Sequence, residues 1–199
     1  MRPAPADHAG DAVGSTRIVN IPNALTILRV LAVPVLALLL AIDDGTSGPA
    51  RIAAAAVFLA ASVTDFVDGA IARRYGWVTT FGKVADPIAD KALIGVALIG
   101  LSLLGELAWW ITAVIVVREV GVTVLRFWVI RHGVIPASRG GKAKTVLQTV
   151  AIAMYLIPID AAWWSVASGI VMGAAVVLTV VTGIDYVGRA LRLRRGTRG

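Results

Sequence analysis

The 199-residue chain predicts an all-α integral membrane protein of six transmembrane helices with both termini in the cytoplasm. Three observations carry that expectation. The composition is more apolar than a soluble domain of this size sustains, with 58% hydrophobic residues, 16% charged residues and a mean hydropathy of +0.82. Six apolar segments, each close to one bilayer thickness, are separated by polar connectors. Basic residues crowd into alternate connectors and into the two tails.

Residues 1–20 read as a polar, disordered N-tail. They hold neither an apolar core nor a small-residue cleavage site, so the first apolar segment is expected to stay as a span. The expected spans are 24–42, 52–67, 86–104, 109–130, 145–159 and 165–187. Asn23, beside Thr26, is either an N-cap of the first span or a polar group facing the site. The connectors "DDGTSGPAR" and "GELA" are turn-like, and "RHGVIPASRGGKAK" reads as a longer basic loop. Residues 21–188 thus form one six-helix domain, followed by a basic tail over 189–199.

Orientation follows from the basic residues. Arg2 and Arg17, then Arg73, Arg74 and Lys83, then Arg131, Arg139, Lys142 and Lys144, then the arginine-rich tail all fall on one side. The other side has only Arg51. The first side is therefore expected to be cytoplasmic, at the cell membrane. The net charge of +7 then serves orientation and contact with anionic lipid, not nucleic acid. Trp109, Trp110, Trp163 and Trp164 lie at the far ends as interfacial anchors. The chain has no cysteine, which excludes disulfides and thiolate metal sites.

The chemistry concentrates in "DFVDGAIARRYGWVTTFGKVADPIADK", residues 65–91. Asp65, Asp68, Gly69, Ala72 and Arg73 share one helical stripe, a continuation of the second span. Gly82, Asp86 and Asp90 share another at the start of the third. If the two helices pack, four carboxylates meet at the cytoplasmic edge of the membrane. Intramembrane carboxylates cost about 2.5–3.5 kcal/mol each near a helix centre, and close ones repel. Hard divalent cations answer that cost best, and two ions held by Asp65, Asp68, Asp86 and Asp90 would clamp a phosphoryl or pyrophosphoryl group. The small residues leave room for a ligand, or serve helix packing.

"DFVDGAIAR", then eight residues, then "GKVADPIAD", resembles the signature of the CDP-alcohol phosphatidyltransferase family, D-x-x-D-G-x-x-A-R…G-x-x-x-D-x-x-x-D. All eight fixed positions are present. The resemblance implies a six-helix membrane fold, usually dimeric. It implies attack by an alcohol on the lipid-side phosphorus of a CDP-alcohol, with release of CMP. It implies Mg²⁺ or Mn²⁺, two ions per site, on Asp65, Asp68 and Asp86. Asp90 would contact the second ion or act as general base. Asp68, Gly69, Ala72, Arg73 and Gly82 would line the cytidine nucleotide.

The blocks "NIPNALTILRV", "DPIADK", "VREVGVTVLRFWVIRHG" and "GGKAKTVLQTVA" are similar to the bacterial branch of that family whose acceptor is sn-glycerol 3-phosphate and whose donor is CDP-diacylglycerol. That likeness runs from Asn20 to about residue 158. The residues are compatible with it. Arg118 and Arg126, eight apart on the fourth span, must face inward, as binders of the acceptor phosphate or as ion-pair partners of Glu119. Arg139, Lys142 and Lys144 are either membrane anchors or further phosphate ligands. Arg29 is a lone cation in the first span, and Lys91 either tunes Asp90 or reaches for the interface. A cardiolipin synthase or a phosphatidylinositol-phosphate synthase of the same family would share the aspartates. A membrane prenyltransferase would place its aspartates on separate helix pairs. A divalent-cation transporter would place them at mid-membrane within inverted repeats, and neither pattern is visible.

Overall fold

The computed structural model describes residues 21–43, 48–75, 80–129 and 139–196, with side chains for 24–43, 48–65, 87–125 and 140–192. Apolar, leucine- and valine-rich runs between polar punctuation give six helices among the described residues. They are α1 (Ile21–Ala41), α2 (Pro49–Tyr75), α3 (Thr80–Leu103), α4 (Trp109–Val129), α5 (Arg139–Leu156) and α6 (Ala162–Gly196). Pro49 opens α2, where its missing N–H costs nothing. Gly105 closes α3 at φ +77°, a left-handed conformation that favours glycine. The N–H groups of Glu106 and Leu107 return to the Leu101 carbonyl at 3.0 and 3.2 Å, which caps the helix.

The helices close into a ring in the order α1, α3, α4, α6, α5, α2, with α3 also touching α2 and α5 across it. Leu36, Leu40, Phe58, Leu98, Leu101 and Ile152 fill the middle. Gly100 lets α1 approach α3, since a Cβ there would meet Leu40 Cδ1 at 2.5 Å and Leu40 Cβ at 3.1 Å. The outside is greasy. Leu28, Leu38, Val117, Ile170, Val177 and Ile184 are all exposed. A soluble protein rarely leaves so continuous an apolar surface bare. By length and composition, α1 over Ala24–Ala41 and α6 over Ala162–Arg192 can cross a membrane. The remaining helices are interrupted by charge. α2 runs out through Asp65, α3 opens on Asp86, Asp90 and Lys91, and α5 opens on Arg139, Lys142 and Lys144.

Several boundaries differ from the expectation. The helix begins at Ile21, so Asn23 lies inside the first turn and is not the N-cap. The second half of the expected loop "RHGVIPASRGGKAK" is helical from Arg139, because two half-buried glycines at a helix start cost less than the packing of α5 against α6 returns. The expected tail from residue 189 is helical to Gly196, extended by an Arg189–Asp185 pair at 2.9 Å.

The end of the ring opposite the aspartates is tied by one buried cation. Arg51, at the start of α2, donates from Nε to Asp43 at 2.5 Å and from Nη1 to Glu106 at 2.7 Å. Its Nη2 also pairs with Glu106, and Nη1 reaches the Tyr155 carbonyl at 3.3 Å. The hydrogen bonds that Arg51 donates to Glu106, and then the one to Asp43, raise the guanidinium pKa above its usual value against the opposing effect of burial. The chain ends of α1, α2, α3 and α5 thus meet on a single side chain. Beside it, Trp164 Nε1 donates to the Met154 carbonyl at 3.0 Å, and Trp163 packs edge-on against Trp164. The exposed Trp109 and Trp110 begin α4 at the same end.

Replacing Arg51 with alanine strands two carboxylates and should cost about 3–5 kcal/mol. Arg51→Lys should recover little, because one ammonium cannot reproduce the fork. Thermal unfolding in detergent measures both, and an Arg51→Ala variant melting with the wild type would show that this network is not structural.

Candidate active site

The aspartate end of the ring is built from cations and carboxylates that no single helix could hold alone. Arg29 lies in α1 and is 1% exposed. An arginine this deep in an apolar helix must find an anion, and it finds Asp65 of α2, with Nη1 2.6 Å from Oδ1. Asp65 keeps 41% of its side chain exposed, so it is open to a further ligand. Asp90 of α3 is partly buried and lies in the field of Lys91, Glu119, Arg29 and Lys144. Arg29 therefore acts on a carboxylate of each aspartate-bearing helix.

Behind Asp90 stands a second cluster. Glu119 of α4 is shared by three cations. Arg118 Nη1 donates to its Oε1 at 2.9 Å, Lys144 of α5 bonds the same oxygen, and Lys91 of α3 lies 3.5 Å from Oε2. Arg118 also donates from Nη2 to the Thr182 hydroxyl of α6 at 3.1 Å. It can lie along α6 because residue 183 is glycine, where a Cβ would sit 3.2 Å from Arg118 Cγ. Three cations on one carboxylate leave two positive charges in surplus in a partly buried layer. That surplus suits a dianion.

The helices carry the aspartate stripes as expected. α2 is helical through 65, 68, 69, 72 and 73, and α3 through 82, 86 and 90. The side chains of Asp68, Ala72, Arg73 and Asp86, and the surroundings of Gly69 and Gly82, lie outside the described residues, as do the side chains of Arg126 and Arg139. Arg118 faces inward and pairs with Glu119, as one of the two readings held. Lys142 and Lys144 part company: Lys144 is buried on Glu119, while Lys142 is exposed. Two residues along a helix is a rotation of about 200°, so both cannot face the site. Lys91 pairs with Glu119. The depth of Arg29 and the hub role of Glu119 went unread, although a lone arginine in an apolar span was the available signal.

Among the described residues no three His, Cys, Asp or Glu side chains gather at metal-binding spacing. Only Asp65 and Asp90 of the four aspartates have described side chains. The donor set itself, carboxylate oxygens on two neighbouring helices with Asp65 partly open, fits a hard divalent cation.

A helical ring that brings aspartates of two neighbouring helices to one end is compatible with a transferase, and comparison with known proteins supplies the class. The profile of the CDP-alcohol phosphatidyltransferase family matches residues 19–181, and the chain belongs to that family. It is similar to a protein of Mycobacterium tuberculosis described as a probable phosphatidylglycerophosphate synthase, 54% identical over 191 residues, covering 96% of this chain and 91% of the relative. It is 38% identical over 171 residues to the CDP-diacylglycerol–glycerol-3-phosphate 3-phosphatidyltransferase of Rickettsia typhi, covering 84% and 94%. The protein of the same description from Escherichia coli is 36% identical over 177 residues, covering 86% and 94%.

Glu119→Gln keeps the shape of the hub and removes its charge. It should lower stability by about 3–5 kcal/mol, because Lys144 and Arg118 are left buried without an anion. Lys144→Met in the same chain should restore part of that loss. Paired melting curves of the single and double variants check it; a double variant whose loss is the plain sum of the singles would mean the two side chains do not interact.

Proposed function

We propose that this protein transfers the phosphatidyl group of CDP-diacylglycerol to sn-glycerol 3-phosphate, giving phosphatidylglycerol phosphate and CMP. The observation that carries the reading is the side-by-side arrangement of an aspartate pair served by Arg29 and a cation layer with two charges in surplus. The first suits a pyrophosphate held with metal, and the second suits the phosphate of a small acceptor. The names of the relatives support the same donor and acceptor.

In this reading Asp65, Asp68, Asp86 and Asp90 hold two Mg²⁺ or Mn²⁺ ions. When bound, the ions supply charge neutralisation at the pyrophosphate. Gly69, Ala72, Arg73 and Gly82, with Asp68, line the cytidine nucleotide. Arg118, Lys144 and Lys91 receive the acceptor phosphate, and Arg126 and Arg139 add to that field. The acceptor hydroxyl oxygen bonds to the lipid-side phosphorus. The bond from that phosphorus to the bridging oxygen breaks, and CMP leaves with the oxygen. Asp90, at the edge of the cation layer, takes the hydroxyl proton.

The ring spans the cell membrane with six helices and both termini in the cytoplasm, so that the lipid donor and the soluble acceptor meet at headgroup level. The apolar outer surface, the tryptophans at the Arg51 end and the basic residues at the other support this. An apolar groove of about 240 Å³ between α1 and α2 runs from Val35 and Val57 to Arg29, and a donor acyl chain suits it. The active form is a homodimer, as the family resemblance implies.

Purified protein with CDP-diacylglycerol and Mg²⁺ or Mn²⁺ should release CMP with glycerol 3-phosphate, and not with phosphatidylglycerol, inositol 1-phosphate or no acceptor. Release with a different acceptor alone would move the assignment. Asp65→Asn, Asp68→Asn, Asp86→Asn and Asp90→Asn should each reduce turnover by about a hundredfold or more. Wild-type rates in any of them would sink the metal site. Arg118→Ala should raise the acceptor KM more than the donor KM; a change confined to the donor refutes its placement.

A further inference from the structure

One buried group in the bundle has no use in the scheme above. Gln148 of α5 is 0% exposed, and neither its Nε2 nor its Oε1 has a hydrogen-bond partner among the described residues. The Thr179 hydroxyl of α6 is also fully buried and unpartnered, as is Nε of Arg118. A carboxamide can make up to about four hydrogen bonds. Burying a carboxamide with those bonds unmade costs stability that a leucine of similar volume would not.

Helical register places these orphans together. Lys144 and Gln148 are one turn apart on α5. Thr179 precedes Thr182 and Gly183, the residues against Arg118, by about one turn on α6. α5 and α6 pack together and are joined by a short connection, so they run antiparallel. Both steps therefore lead the same way, from the Arg118–Glu119–Lys144 layer toward the Arg51 end. Gln148 on α5 and Thr179 on α6 thus each lie about one helical turn, roughly 5 Å, beneath the cation layer.

We propose that Gln148, assisted by Thr179, is the specificity-determining residue that reads the non-reacting hydroxyl of the acceptor. The inference rests on the proposed function. A small polyol phosphate whose phosphate sits in the cation layer has its next hydroxyl four bonds from the phosphorus, a reach comparable with the one-turn step from Lys144 to Gln148. The amide, without a partner among the described residues, gains its bonds with the acceptor that carries the hydroxyl. A site built this way rejects analogues that lack the group.

The test compares glycerol 3-phosphate with 3-hydroxypropyl phosphate, which lacks the central hydroxyl, in CMP-release assays. Wild-type protein should prefer glycerol 3-phosphate by about tenfold or more in kcat/KM. Gln148→Leu should lose that preference by lowering kcat/KM for glycerol 3-phosphate about tenfold, with the deoxy acceptor changed by less than about twofold. Its melting temperature in detergent should match or exceed the wild type, which a residue kept for packing would not allow. If the leucine variant does not fold, Gln148→Met and Thr179→Val carry the same comparison. Equal losses on both acceptors, or no loss on either, overturn the inference and leave the proposed function standing. Wild-type protein that ignores glycerol 3-phosphate overturns both.

Discussion

The Glu119 carboxylate and its three cations constrain the rest of the bundle. An ionised group in a low-dielectric interior has to be paired within the protein, because no water replaces the partner. Glu119 lies on α4, Lys91 on α3 and Lys144 on α5, so satisfying one charge fixes the rotation and depth of three helices. Arg118 extends the tie to α6 through Thr182. Arg29 and Asp65 tie α1 to α2 in the same way. Apolar contacts between helices are interchangeable to a fair degree, whereas these pairs tolerate one register. The aspartates of α2 and α3 are positioned by that register.

The two ends of the ring use charge differently. At the far end a single guanidinium meets Asp43 and Glu106, and its donors are engaged. That cluster is closed and serves the fold. At the aspartate end the cations outnumber the carboxylate they share, and the Gln148 amide and Thr179 hydroxyl have no hydrogen-bond partner among the described residues. An end left electrostatically incomplete in a stable bundle is where a ligand completes it, and such local inconsistency is expected at a functional site.

Much of this was legible in the sequence. The aspartate stripes could be read because helical period alone puts positions 65, 68, 69, 72 and 73, and positions 82, 86 and 90, in line. The inward turn of Arg118 followed from the cost of leaving a cation in lipid. What the sequence hid was partnership at a distance. Arg51 and Glu106 are 55 residues apart, and Arg51 and Tyr155 are 104 apart. No periodicity links them, so Arg51 looked like a stray basic residue on the wrong side. The start of α5 was missed because Gly140 and Gly141 suggest a loop, while the packing that makes them helical comes from α6. The difference between Lys142 and Lys144 was within reach, since their positions lie on opposite sides of any helix through both.

The asymmetry between the ends also orders the chemistry. Asp65, paired with Arg29 but 41% exposed, can take a further cation, and the Glu119 layer, with three cations on one carboxylate, can take a further anion, while Arg29, Lys91 and Lys144 all act on Asp90. In the proposed function a metal-bound pyrophosphate would satisfy the first need and an acceptor phosphate the second. Each ligand brings charge that its own subsite wants and that the neighbouring subsite would repel. Under the proposed function the donor would thereby be kept to one side of Asp90 and the acceptor to the other, with the hydroxyl and the phosphorus meeting beside the carboxylate proposed to take the proton. Positioning of this kind requires no motion of the bundle, only side chains already fixed by the pairs that hold the helices in register.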